Sequence, residues 1–146
     1  MKIFAVASAG GHWIQLLRLR PAFKGHEVIY VSTNEEYAAM VEGCPFYAVS
    51  DSNRWQKSKL FSTFFMLFSL ISREKPNVII STGAAPGLLA LLIGRGIGAR
   101  TIWIDSIANA EKLSLSGKFA AKIANRVYTQ WPELSNEKIL FKGSVI

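Results

Sequence analysis

Residues 2–12 read KIFAVASAGGH, and this stretch decides the fold. Ile3 to Ala7 form an apolar run without alternation, the pattern of a strand buried on both faces of a parallel sheet. The run passes into Ser8-Ala9-Gly10-Gly11-His12, and the amphipathic stretch Trp13–Leu19 follows at once. Two adjacent glycines let the backbone turn sharply and bring N–H groups close to a ligand. A helix starting at that turn adds a partial positive charge at the same spot. Strand, glycine turn and helix start suit a phosphate held by Ser8, Gly10 and Gly11; the plainer reading is glycines that permit close strand–helix packing. His12 stands on the rim. It can act as a general base near neutral pH, donate to a phosphate, or simply cap or pack.

Working outward, strands and helices alternate along the chain. Strands are expected at 2–7, 26–31, 45–49, 77–81, 100–104 and 126–129, and helices at 12–20, 34–42, 56–73, 86–95 and 116–124. This order predicts an α/β fold with a Rossmann-like, doubly wound parallel sheet in one domain over 1–131. Residues 132–146, PELSNEKILFKGSVI, read as a connector. The 146 residues suffice for one domain with a real core. Half of them are hydrophobic and the mean hydropathy is +0.22, so some apolar surface is expected to meet a partner or a bilayer. A net charge of +7 favours an anionic partner, but no motif that reads RNA or DNA accompanies it, so nucleic acid is not expected. Cys44 is the only cysteine, which excludes an internal disulfide and a cysteine-based zinc site; no metal constellation is visible. No signal peptide and no run long enough to span a bilayer stand out.

The glycine turn lacks the three-glycine dinucleotide pattern, and Ser32-Thr33-Asn34 stand where a ribose-binding carboxylate would end the second strand. NAD and FAD are therefore disfavoured, a Walker loop is absent, and no cofactor is expected. A second small-residue turn, Thr82-Gly83-Ala84-Ala85-Pro86-Gly87, follows the fourth strand. In a parallel sheet both turns lie at the same edge and can flank one cleft. Asp105 ends the strand RTIWI; it can accept a proton, bind sugar hydroxyls, or cap a turn, and Asn109 is a weaker candidate of the same kind. The helix at 56–73 carries Phe61, Phe64, Phe65 and Phe68, with Trp55 and Lys57 at its start and a narrow polar stripe of serines. An apolar helix with basic ends fits an anionic membrane surface, or else burial against a partner protein.

With strand-SAGGH-helix at the start, STGAAPG at 81–87 and FKGSVI at 141–146, the chain resembles the N-terminal half of GT-B glycosyltransferases. It is most similar to the membrane-anchoring subunit of the two-part Alg-type UDP-N-acetylglucosamine transferases and their bacterial exopolysaccharide and capsule relatives. The resemblance implies a subunit of a heteromeric, inverting glycosyltransferase, peripheral at the cytoplasmic face of a membrane. It implies a separate donor-binding subunit that holds the UDP-sugar and docks at the tail. This chain would bring a lipid-diphosphate-linked acceptor, its diphosphate cradled by Gly10, Gly11, Thr82 and Gly83. His12 or Asp105 would orient or deprotonate the acceptor hydroxyl. Trp55, Phe61, Phe64, Phe65 and Phe68 would meet lipid in place of the N-terminal membrane span of the eukaryotic relatives. Two rivals stay open: a non-catalytic scaffold for the partner, and a stand-alone nucleotide-binding α/β domain.

Overall fold

A computed structural model describes residues 1–51 and 56–145, so Trp55 lies outside the described residues. Strand β1 (Lys2–Val6) is the centre of the molecule, and every side chain from Ile3 to Ala7 is buried. Parallel partners bracket it on both sides, Phe4 standing opposite Ile29 of β2 (Glu27–Ser32) and Ile79 of β4 (Val78–Ser81). With β3 (Phe46–Ala48), β5 (Arg100–Ile104), β6 (Arg126–Thr129) and β7 (Ile139–Phe141), the sheet has seven strands in the order β3-β2-β1-β4-β5-β6-β7. All six pairings are parallel. The chain winds from β1 outward to β3, then returns to β4 and proceeds to β7. The order thus reverses between β1 and β4, the position at which open α/β sheets leave a ligand crevice at their carboxyl edge.

Side chains alternate between two cores because successive residues of a strand point to opposite faces. Phe4, Val6, Ile79, Trp103 and Val127 face Leu67 and Ile71 of α2 (Lys57–Glu74), Leu91 of α3 (Ala84–Gly96) and Ala120 of α4 (Leu115–Ile123). Ile3, Ala5, Tyr30 and Ile80 face Trp13 and Leu16 of α1 (Gly11–Arg18), with Phe23 and Val41 beside them. One sheet with a core on each face is the doubly wound arrangement the chain's alternation implies.

Two segments differ from expectation. Residues 34–42 form a 3-10 turn over Glu35–Val41 in place of an α-helix, opened by Asn34 Oδ1 accepting from Glu36 N at 3.0 Å. The 3-10 form advances about 2.0 Å per residue against about 1.5 Å for an α-helix, which carries a short connection further between neighbouring strands. The stretch 132–146 also contributes more than a connector: Ile139–Phe141 extend the sheet as β7, with Val127 opposite Ile139 and Thr129 opposite Phe141.

Candidate functional site

The two small-residue turns meet at the switch point. After β1, Gly10 takes φ +82°, a backbone conformation that side chains rarely adopt, and α1 begins at the next residue. Its first helical bond runs from Ile14 N to the Gly10 carbonyl at 3.2 Å, so the N–H groups of Gly11, His12 and Trp13 lie ahead of the helical ladder. The two N–H groups before them are bound: Ala9 N donates to Thr33 Oγ1 at 3.1 Å, and Gly10 N to Tyr37 Oη at 3.0 Å. Both hydroxyls keep their own hydrogen for a further acceptor. Tyr37 is held in place by stacking on Trp13, with ring centroids 5.1 Å apart.

His12 is locked to the second turn. Thr82 Oγ1 donates to the His12 carbonyl at 2.6 Å, and His12 Nδ1 lies 3.0 Å from the Thr82 carbonyl. A carbonyl only accepts, so Nδ1 carries hydrogen, and Nε2 is the acceptor of the neutral ring. Gly83, at φ +150°, lies flat under the imidazole: a Cβ built there would overlap Nδ1 and Cε1 and stand 2.9 Å from Cγ. The next residue, Ala84, has φ +68°, so this turn holds backbone strain directly beneath the histidine. The structure brings Gly10, Gly11, His12, Thr82 and Gly83 together, with half-buried Ser8 at the end of β1.

Asp105 is placed differently. It is 2% exposed, and four donors converge on its carboxyl oxygens: Trp103 Nε1 at 2.9 Å, Ser114 Oγ at 2.6 Å, Ser114 N at 2.9 Å and Asn109 Nδ2 at 3.3 Å. The donors come from Trp103 of β5, Asn109 of the loop that follows it and Ser114, the first residue outside α4, so Asp105 fastens the 105–114 loop to the sheet. With two donors on each oxygen, the Asp105 carboxylate is occupied within the fold, and Asn109 gives Nδ2 to it. Ser114 in turn caps α4, accepting from Gly117 N at 2.8 Å. No hydrogen bond joins Asp105 to His12 among the described residues. The link between them is Gln15, on α1 three residues after His12, whose Nε2 donates to the Asp105 carbonyl at 3.2 Å. Gln15, Thr33, Tyr37 and Ser114 are thus parts of the site that sequence reasoning missed, as is buried Gln130, whose Nε2 donates to the Asp105 carbonyl at 3.0 Å. Only the spacing of Ser114 from Gly117 hinted at a cap.

Away from the crevice, α2 shows water an apolar face. Phe61 is 65% exposed, Phe65 64% and Phe68 48%, while Phe64 is half-buried and stacks on Phe68. A groove of about 430 Å³ opens between α2 and α3, lined by Lys57, Leu60, Phe61, Phe64, Phe65 and Leu89. Among the described residues, no helix is long and apolar enough to cross a membrane, and no cluster of His, Cys, Asp or Glu has metal-binding geometry.

Comparison with known proteins places the chain in a family. Residues 48–144 match the model of the family described as "Oligosaccharide biosynthesis protein Alg14 like". The mouse UDP-N-acetylglucosamine transferase subunit ALG14 is 25% identical over 184 aligned positions, which take in 100% of this chain and 83% of the relative. The human protein of the same name is 26% identical over 183 positions, with the same shares. Among solved structures, Acinetobacter baumannii MurG superposes with a TM-score of 0.80 at 14% identity, covering 97% of this chain and 45% of that one. A UDP-N-acetylglucosamine 2-epimerase from Rickettsia bellii follows at 0.75 and 14%, covering 99% of this chain and 45% of the epimerase. The chain therefore spans less than half of either structure, and these two likenesses speak to fold alone: a Rossmann-like domain of the GT-B N-terminal type. With two thirds of its length matched by the family model, the chain belongs to the Alg14-like family of oligosaccharide biosynthesis proteins.

Proposed function

We propose that this chain is the acceptor-binding subunit of a heteromeric, inverting glycosyltransferase whose other subunit holds the UDP-sugar. The carrying observation is the join at the switch point, where His12 Nδ1 is tied to the Thr82 carbonyl at 3.0 Å and Nε2 is left as the ring's acceptor. The likeness to transferase subunits supports the same reading. In the reaction, the acceptor hydroxyl loses its proton to His12 Nε2 as its oxygen attacks the anomeric carbon from the face opposite the nucleotide. The bond from that carbon to the diphosphate oxygen breaks, and UDP leaves with the electron pair. The first-turn N–H groups of α1 and the hydroxyls of Thr33 and Tyr37 face the acceptor's own diphosphate. Asp105 works through the loop it holds rather than on the substrate.

The lipid tail of such an acceptor calls for a surface at the bilayer. Phe61, Phe65 and Phe68, backed by Phe64 and bordered by Lys57 and Lys59, form an apolar face with cationic margins suited to the anionic cytoplasmic leaflet. The tail supports docking of the donor-binding subunit. Lys142, Gly143, Ser144 and Val145 line a cavity of about 240 Å³ together with Leu19, Ile104 and Tyr128.

The test is sugar transfer by the two-subunit complex with His12→Ala. Loss of a general base costs about 10²–10⁴-fold in kcat. Such a loss with the complex still assembled supports the reading; near-normal turnover in His12→Ala makes this chain a scaffold.

A further inference from the structure

Residues 144–145 of the tail and the 105–114 loop are far apart in sequence, yet one buried side-chain amide joins them and a second ties the same loop to α1. Gln130, just beyond β6, is 2% exposed, and Gln15 on α1 is 4% exposed. Gln130 Nε2 donates to the Asp105 carbonyl at 3.0 Å, and its Oε1 accepts from Val145 N at 2.7 Å. Ser144 Oγ donates to the Gln130 carbonyl at 2.9 Å. Gln15 Nε2 reaches the same Asp105 carbonyl at 3.2 Å, and its Oε1 accepts from Ile107 N at 3.3 Å. Trp131 Nε1 closes the arrangement on the Ile107 carbonyl at 2.8 Å.

Each amide thus uses its donor and its acceptor on backbone groups of the loop and the tail, Gln15 Nε2 also lying 3.5 Å from the Ile104 carbonyl at the end of β5. Beyond β7 the chain turns at Gly143, φ +118°, and comes back toward β6. Among the described residues, the hydrogen bonds that hold it to the domain there are the two made by Ser144 and Val145. A segment held by so few bonds opens at small cost. When it opens, Gln130 loses the partner of its oxygen, and a buried amide left half-paired is unfavourable. The loop that carries Asn109 then loses the firm seat of Gln130 and leans more on Gln15, Trp131 and the Asp105 carboxyl.

We infer that Gln130, together with Gln15, is a positioning residue that joins residues 144–145 of the tail to the 105–114 loop, so that what binds the tail sets where the acceptor-side loop stands. This rests on the proposed function, in which the donor-binding subunit docks at the tail and the acceptor meets the crevice. It adds to that reading a physical route from one to the other: tail N–H, Gln130 side chain, Asp105 carbonyl, Gln15 side chain, and so to α1, which bears His12.

Two variants of the full chain cut the route at different points. Val145→Pro removes the N–H that Gln130 Oε1 accepts, at a half-buried residue that belongs to neither core. Gln130→Glu keeps that acceptor but sets an oxygen against the Asp105 carbonyl. Amide hydrogen exchange on the free chain is the first arm. Both variants should speed exchange of the Ile107 and Ser114 amides about tenfold, the factor set by one lost hydrogen bond, while Ile79 and Ile80 in β4 stay unchanged. Unchanged loop exchange in either variant, or equal acceleration throughout the chain, overturns the inference. The second arm measures transfer by the two-subunit complex. The KM for the lipid-linked acceptor should rise while the KM for the UDP-sugar holds. An acceptor KM that does not move, with the loop demonstrably loosened, also overturns the positioning role. If the wild-type complex transfers no sugar at all, the proposed function fails, and the exchange arm still decides whether the route exists.

Discussion

Gly83→Ala is the sharpest local test of the site, because the substitution adds one methyl group at a point where the structure leaves no room for it. The added Cβ would overlap the His12 ring, and it would sit on a backbone at φ +150° that L-residues avoid. Two costs follow. Holding a non-glycine residue in that region costs about 1–3 kcal/mol. The imidazole must also rotate away, breaking the Nδ1–Thr82 bond, which is worth about 1 kcal/mol. The sum, about 2–4 kcal/mol, lowers Tm by roughly 8–16 °C at about 4 °C per kcal/mol for a chain of this length. Gly11→Ala is the control. A Cβ there meets nothing within 4 Å and no positive φ is involved, so the change is neutral or stabilising by up to about 1 kcal/mol. Urea or thermal unfolding of the purified chain separates the two. The cost of Gly83→Ala should also shrink in a His12→Ala background, since only the backbone strain then remains. Equal stability of the two alanine variants, or a cost indifferent to His12, would refute the packing of the histidine on this turn.

Other predictions follow from the same contacts. Ser114→Ala strips Asp105 of a 2.6 Å donor and α4 of its cap; a loss of about 2–4 kcal/mol in urea unfolding is expected, and a loss under 0.5 kcal/mol contradicts the fastening role. Tyr37→Phe leaves the Gly10 N–H without its partner; it should weaken acceptor binding in the two-subunit complex by about tenfold, as one hydrogen bond implies, and an unchanged acceptor KM would exclude the tyrosine from the site. Phe61→Ser with Phe65→Ser should leave Tm within about 2 °C, because both rings stand in water. The same pair should cut sedimentation with anionic vesicles at least tenfold, since burying one phenylalanine is worth about 1.5–3 kcal/mol; vesicle binding equal to wild type removes α2 from the membrane account.

What was legible in the sequence and what was not have separate physical causes. Ile3 to Ala7 announced a central strand because a run buried on both faces needs no alternation, and Gly10 and Gly83 announced turns because few other residues accept such backbone angles. The meeting of those turns follows from parallel topology alone. β7 escaped notice because three residues, Ile139 to Phe141, between Lys138 and Lys142 make too short a pattern to stand out from a tail. Asp105 was visible as a carboxylate at the right edge, but the four donors that occupy it come from a neighbouring strand residue, the loop and the cap of α4, and no spacing rule reports their convergence. Gln15 and Gln130 were invisible for the same reason: an amide carries no signal until the fold shows which backbone groups it satisfies. The buried side of α2, Thr63, Leu67 and Ile71, was not legible in so apolar a helix, where the phenylalanines beside it are left to solvent.

The central claim is that this chain forms only one wall of the catalytic crevice. It is tested most directly by measuring UDP-sugar-dependent transfer to a lipid-diphosphate-linked acceptor on vesicles with this chain alone, with the donor-binding subunit alone, and with both. The account predicts turnover only when both are present. Full activity from either subunit by itself would contradict it.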